Sequence, residues 1–368
     1  MSTHRLTLAA VVAFGLLPGL VWAQAPPPVP PPPPPPPDVH KTVEDATRAV
    51  EKHKVEIEKL KQAHEKGEAE RGPDFVDRTT RAFKVAGPTT VALANVSGRI
   101  TVSAAAGSEV RLEIVKRVRA ATEADAKPRL DATRVEIEER AGRIDVRTEH
   151  TRGRHGASVD YTVVAPPDTA LEIRSVSGDM SVQGIKGEVR AETVSGDVNA
   201  TGLAREASLK SVSGDITIAS STLDGQLGAN SVSGNVFIQG LKARRVDAAT
   251  VSGDVKLSGG ACDQAQVHSV SGDVGLSGVL ANGGRYELRS HSGDISFTVD
   301  GKTGFEVEAN SFSGDIKTEL PLDVRSKKEN EGFGPPSRSL RAIYLDGSAQ
   351  VQVSTFSGTI VITKKTGQ

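Results

Sequence analysis

The dipeptide Ser-Gly returns ten times along this chain, its glycine at Gly98, Gly178, Gly196, Gly214, Gly234, Gly253, Gly272, Gly293, Gly314 and Gly358. From Gly178 to Gly314 successive positions differ by 18, 18, 20, 19, 19, 21 and 21 residues. A period near twenty is too short for an independent domain. Each unit leaves an apolar face that only its neighbour can cover, so the copies must stack.

Within one period the apolar residues alternate as strands require. Leu209 and Ser211 fall on one parity, and Val212, Ile216 and Ile218 on the other. Two short strands joined through Val-Ser-Gly-Asp follow, with the inward phase slipping at that corner, where glycine takes a positive φ that a β-branched residue resists. Looser turns such as Gly202-Leu203 and Gly240-Leu241 lead to the next copy. The fold class expected is all-β: an elongated β-solenoid of 18–21 residues per rung with Ser-Gly-Asp corners, preceded by one N-terminal helix.

The rest of the chain divides around this array. Residues 1–23 read as an export signal, with His4 and Arg5, an interrupted apolar run from Leu6 to Leu20, and Val21-Trp22-Ala23 as the cleavage site. Retention as an uncleaved anchor is the other reading of that segment. Residues 24–38 form a polyproline spacer, expected in the extended polyproline II form. Residues 39–72 read as an amphipathic helix ended by Gly72-Pro73. Its seam of Val43, Ala46, Val50, His53, Ile57, Leu60 and His64 offers a route through residues 42–70 to a homo-oligomer, or a cap for the β-stack. Residues 73–368 form the β-domain, with an irregular opening at 99–170, including a short helix at Thr122–Ala132, and a loop insert at 321–346. Val351, Val353 and Phe356-Ser357-Gly358 are expected to close the stack.

The repeats create one column of acidic residues: Asp179, Asp197, Asp215, then Asn235, then Asp254, Asp273, Asp294 and Asp315, with Arg99 and Thr359 in the same slot. Carboxylates about 4.8 Å apart repel by roughly 1 kcal/mol in water. Each is expected to cap the backbone of its own tight turn, with a calcium-binding edge as the alternative. The serine before each glycine is read as bonding the turn backbone, because a nucleophile would be needed once and beside a base. An inner column of Ser175, Thr193, Ser211, Ser231, Thr250, Ser269, Ser290 and Ser311 reads as a ladder of small residues. His268 and His291 occupy different slots, and no Cys-His cluster or phosphate-cradling loop is present. No catalytic residue, cofactor or metal site is assigned.

Pro166-Pro167-Asp168-Thr169-Ala170-Leu171-Glu172-Ile173, followed by Ser175-Val176-Ser177-Gly178-Asp179 and its copies, resembles the bacterial putative-adhesin family of β-strand-repeat proteins. The resemblance runs from Arg81 to Thr363 and includes Thr355-Phe356-Ser357-Gly358. It implies a β-solenoid and an envelope or surface location.

Composition narrows the function. A net charge of −1 without a basic stripe excludes the electrostatic footprint of a nucleic-acid binder, and one cysteine, Cys262, excludes an intrachain disulfide. The expected function is a non-enzymatic exported scaffold or adhesin in the periplasm or at the cell surface, binding an envelope or extracellular glycan or protein. The alternatives are a β-helix polysaccharide-cleaving enzyme and a periplasmic sensory module in envelope-stress signalling.

Overall fold

The computed structural model describes residues 73–151, 156–329 and 338–365, all within the unit Gly67–Gln368. The export segment, the proline run and the helix expected at 39–72 lie outside the described residues.

Each repeat gives one strand to each of two rows. In the Gly214 repeat, Ala207–Ser213 lies in the first row and Ile216–Ala219 in the second. Within the array each strand pairs in parallel with its counterparts on either side. Leu209 sits between Ala191 and Ala229, and Ile218 between Ala200 and Ile238. The long strands Val255–Ser271 and Val274–Ser292 run through both rows without a break, joining them into one hydrogen-bonded sheet.

Alternation fills the space between the rows with thin columns. Ala191, Leu209 and Ala229 from the first row, and Val198, Ile216 and Val236 from the second, are fully buried. Because identical positions stack at one strand spacing, small and branched side chains suffice to fill the interior. The phase differs from expectation by one step. Val212 is 45 % exposed, so it keeps the outward parity of Lys210, and the slip occurs at Gly214. Ser211 is the last inward residue of its strand.

At both ends the order in the stack departs from the order in the chain. The Gly98 repeat, Thr90–Ser97 with Ile100–Ala104, lies between the pair Arg143–His150 and Ser158–Ala165 on one side and the Gly178 repeat on the other. The Gly358 repeat, Ala349–Ser357 with Ile360–Lys364, lies between the Gly293 and Gly314 repeats. It is therefore penultimate, and the expectation that it closes the stack is corrected. The reason is the path before it. Arg338–Tyr344 runs antiparallel along the outer side of Phe305–Ser313. The turn Leu345–Ser348 then crosses Gly304, whose carbonyl accepts from Ala349 N–H at 3.0 Å, and so delivers the last repeat to the inner side. A Cβ at Gly304 would collide with Asp346 and with the Tyr344 carbonyl.

Antiparallel strands finish the first row at both ends and the second row at the end beside the Gly98 repeat. The insert at 321–346, expected as a loop, contains Asp323–Glu329 paired with Arg338–Tyr344. At the other end Thr133–Arg140 covers the first row, and Asp74–Lys84 with Glu109–Arg119 covers the second. A short helix, Glu123–Asp131, is capped by Thr122, whose hydroxyl accepts from Asp125 N–H.

Candidate functional site

The corner is where every repeat concentrates its polar atoms, and two side-chain columns complete the backbone ladder there. Gly214 has φ 149°, and its N–H donates to the Ser233 carbonyl of the next repeat at 3.1 Å. Its carbonyl has no backbone donor in reach, because the chain is turning. Ser231, from the inner column, donates its hydroxyl to that oxygen at 3.1 Å. Thr250, Ser269, Ser290, Thr355 and Ser311 do the same for Gly234, Gly253, Gly272, Gly293 and Gly358. At Gly98 an amide replaces the hydroxyl, since Asn95 Nδ2 donates to Gly98 O and to Val159 O. Ser175 and Thr193 have buried hydroxyls without a partner among the described residues.

The acidic column supplies the missing acceptor. Asp179 Oδ1 accepts the N–H of Asp197, Asp197 that of Asp215, and Asp215 that of Asn235. Asn235 then serves Asp254, Asp254 serves Asp273, Asp273 serves Asp294, and Asp294 serves Thr359. The side chain thus caps the turn of the next repeat, not its own, which corrects the expected geometry. A turn this tight holds its own amide out of reach, while the amide one strand spacing away is presented directly. Mutual repulsion of about 1 kcal/mol is opposed by charge-assisted bonds of about 1.5–3 kcal/mol each. The Asp273 N–H, helped by Lys256, holds the Asp254 carboxyl below the usual range. Asp315 lies outside this chain of bonds and pairs with Arg338. Asp160, which the repeat phrase does not include, serves Arg99 N–H at 2.9 Å. Among the described residues, no group of three His, Cys, Asp or Glu side chains is placed to hold a metal ion.

The corner glycines form a third column with almost no room. A Cβ on Gly214 would lie 2.1 Å from Gly196 O, and the same closeness recurs from Gly98 to Gly358 and Gly314. The serine before the glycine is exposed in every repeat but the first, where Ser97 is half-buried, and the turn-bonding hydroxyl belongs to the residue three before the glycine instead.

Sequence reasoning missed the surface this corner presents. Two residues before the glycine in nine of the ten repeats stand Val176, Val194, Val212, Val232, Val251, Val270, His291, Phe356 and Phe312 in stack order, each exposed, whereas Val96 before Gly98 is half-buried. The aromatic rings at one end lie face to face, with Phe312 and Phe356 4.6 Å apart and His291 5.0 Å from Phe356. Beside this file runs a shallow groove of about 650 Å³, floored by Ser231, Thr250, Ser269, Ser290 and Thr355. The signal was the inward Ser211, whose parity forces Val212 outward. Further along the same face a polar groove of about 610 Å³ is lined by Arg245, Gln264, Gln266, Arg285, Glu287, Glu306, Glu308, Arg341, Gln350 and Gln352. Arg341 pairs with Glu306 and Arg245 with Gln266, while Gln264, Gln350 and Gln352 have no side-chain partner among the described residues.

The family model described as Toastrack DUF4097 matches residues 89–236 and, a second time, 204–363. Among proteins of curated function, none matches the sequence. Solved structures with similarity include a putative adhesin from Bacteroides fragilis, 12 % identical over 78 % of this chain and 97 % of that one, with a TM-score of 0.37. A putative adhesin from Parabacteroides merdae is 9 % identical over 78 % and 96 %, with a TM-score of 0.38. A protein from Parabacteroides distasonis called a putative lipid binding protein is 10 % identical over 79 % and 97 %, with a TM-score of 0.31.

Proposed function

The chain belongs to the Toastrack DUF4097 family, and from that premise we propose that it is a non-enzymatic exported scaffold that binds an extended glycan or protein of the cell envelope. The two rows and their corners are, in this reading, turns of a β-solenoid with Ser-Gly-Asp corners. The observation that carries it is that the polar side chains repeated at the corners are mostly already engaged. The column carboxylates hold backbone amides, and most inner hydroxyls hold backbone carbonyls. Catalysis needs one asymmetric constellation, whereas this edge repeats itself.

A repeating surface suits a repeating ligand, because many weak contacts add up as avidity. The polar groove offers planar amides at Gln264, Gln350 and Gln352, spaced by strand geometry and free to bond hydroxyls or peptide groups. The test incubates the full chain with envelope and plant polysaccharides and with envelope extracts, following both retention and new reducing or unsaturated ends. Retention that falls at least tenfold in a Gln264→Ala, Gln350→Ala, Gln352→Ala variant supports the reading. Product that accumulates with protein concentration, and vanishes on a point substitution in the β-domain, overturns it.

A further inference from the structure

The file of exposed apolar side chains from Val176 to Phe312 takes no part in the core, the ladders or the polar groove. It spans nine successive repeats, so its length is about 40 Å at one strand spacing per repeat. With its flanking columns it is about 20 Å wide, roughly 800 Å², which is the area per partner of a stable protein–protein interface. The apolar part is the central file, and a row of exposed valines and phenylalanines, with His291 among them, is rare on a protein that stays alone in water.

We propose that this edge joins two copies of the chain, side by side and parallel, about a two-fold axis running along the stack. Three observations select the occupant and the direction. The first is spacing: a ladder of side chains one strand spacing apart matches a second copy of itself at every repeat. The second is shape. From Val251 to Phe312 the file borders a groove that lies on the side of the residues four before each glycine and is floored by the inner Ser/Thr column. A two-fold axis along the stack sets each ridge into the partner's groove. An axis across the stack sets ridge on ridge and groove on groove.

The third is charge. One flank of the file carries the acidic column, and the other carries the residues four before each glycine. Rotation about the stack axis brings these two flanks together at the same repeat. Arg174 then faces Asp179, Lys210 faces Asp215, and Arg289 faces Asp294, each on opposite copies, while Asn230 meets Asn235. Glu192 opposite Asp197 is the one like-charged match, and Arg174 at 3.4 Å and Lys210 at 3.9 Å flank Glu192, so these two cations are shared between it and the partner copy's aspartates. An axis across the stack would bring acidic column against acidic column. The polar groove, four to six residues back along the same strands, stays open in this dimer.

The experiment is analytical ultracentrifugation of the full chain over a range of concentrations, paired with cysteine cross-linking. Expected is a monomer–dimer equilibrium whose dissociation constant rises at least tenfold in Val232→Lys, Val251→Lys, and again at high salt. Val232→Thr, Val251→Thr, which keeps strand propensity, gives a smaller rise in a chain with unchanged circular dichroism. Val194→Cys and Val270→Cys should each cross-link to their own counterparts under mild oxidation. A chain that stays monomeric, a dimer indifferent to the file substitutions, or cross-linking only between mixed Val194→Cys and Val270→Cys chains would each overturn the proposal. A file that instead captures a glycan or another protein as a monomer overturns it equally.

Discussion

The carboxylate of Asp197 accepts the backbone N–H of Asp215 at 2.9 Å, one repeat further along the stack. That bond satisfies an amide the corner would otherwise leave open, so the acceptor oxygen matters more than the charge. Asp197→Asn should cost less than about 0.5 kcal/mol, as the natural Asn235 in this column implies, while Asp197→Ala should cost about 1–3 kcal/mol. Urea denaturation of the two variants checks the ranking, which fails if they are equal.

The glycine column has no such tolerance. Gly214→Ala places a methyl 2.1 Å from the Gly196 carbonyl oxygen, at a φ of 149°. Neither strand can retreat without breaking ladder bonds on both sides. A loss of at least about 3 kcal/mol is expected. A melting temperature within a degree or two of the parent would show that the corner is drawn wrongly.

The opposite turn offers a gain. Ser220 sits at φ 48° where neighbouring repeats have Gly202 at φ 66° and Gly240 at φ 63°. Ser220→Gly removes the strain of a side chain in the left-handed region and should stabilise the chain by about 0.5–1 kcal/mol. Thermal melts that fall instead would assign the serine hydroxyl a role in the turn.

Stability should be bounded on both sides of neutrality. The carboxyl of Asp254 is held low by the Asp273 N–H and Lys256, and that of Glu172 by its bond to Arg143. Groups depressed on folding contribute fully above their unfolded pKa and lose that contribution as pH falls through the folded value, so unfolding in acid should set in below about pH 4. Burial pushes the phenols of Tyr161 and Tyr286 up to about 12. Their contribution is complete below about pH 10 and disappears as pH rises toward 12. Circular dichroism against pH, with phenolate absorbance on the alkaline side, checks both limbs. In a Tyr344→Phe variant, where only Tyr161 and Tyr286 can give the signal, phenolate appearing near pH 10 while the fold persists would contradict the burial.

The sequence disclosed the period, the strands and the corner because all three are properties of one repeat. What it withheld are relations between repeats. Nothing in Asp294 says whether its carboxylate will meet Asp315 or Thr359, since both follow the same Ser-Gly phrase. The crossing turn over Gly304 decides it in favour of Thr359. Similarly, a valine before a corner reads as core until the neighbouring Ser211 is recognised as the inward residue. The hydroxyl faces inward because the Gly196 carbonyl needs a donor, at 3.3 Å, and that need is visible only once two repeats stand side by side.

Arg99 and Thr359, the two slot residues that are neither Asp nor Asn, belong to the two repeats threaded out of order. Each receives a carboxylate and passes none on. The Gly358 repeat is flanked on both sides, by the Gly293 and Gly314 repeats, so no further copy can stack directly upon it. A new copy fits the bonding pattern when duplicated within the span from Gly196 to Gly293, where every corner both takes and gives. A gene of this kind would grow from its middle, with both terminal splices inherited unchanged.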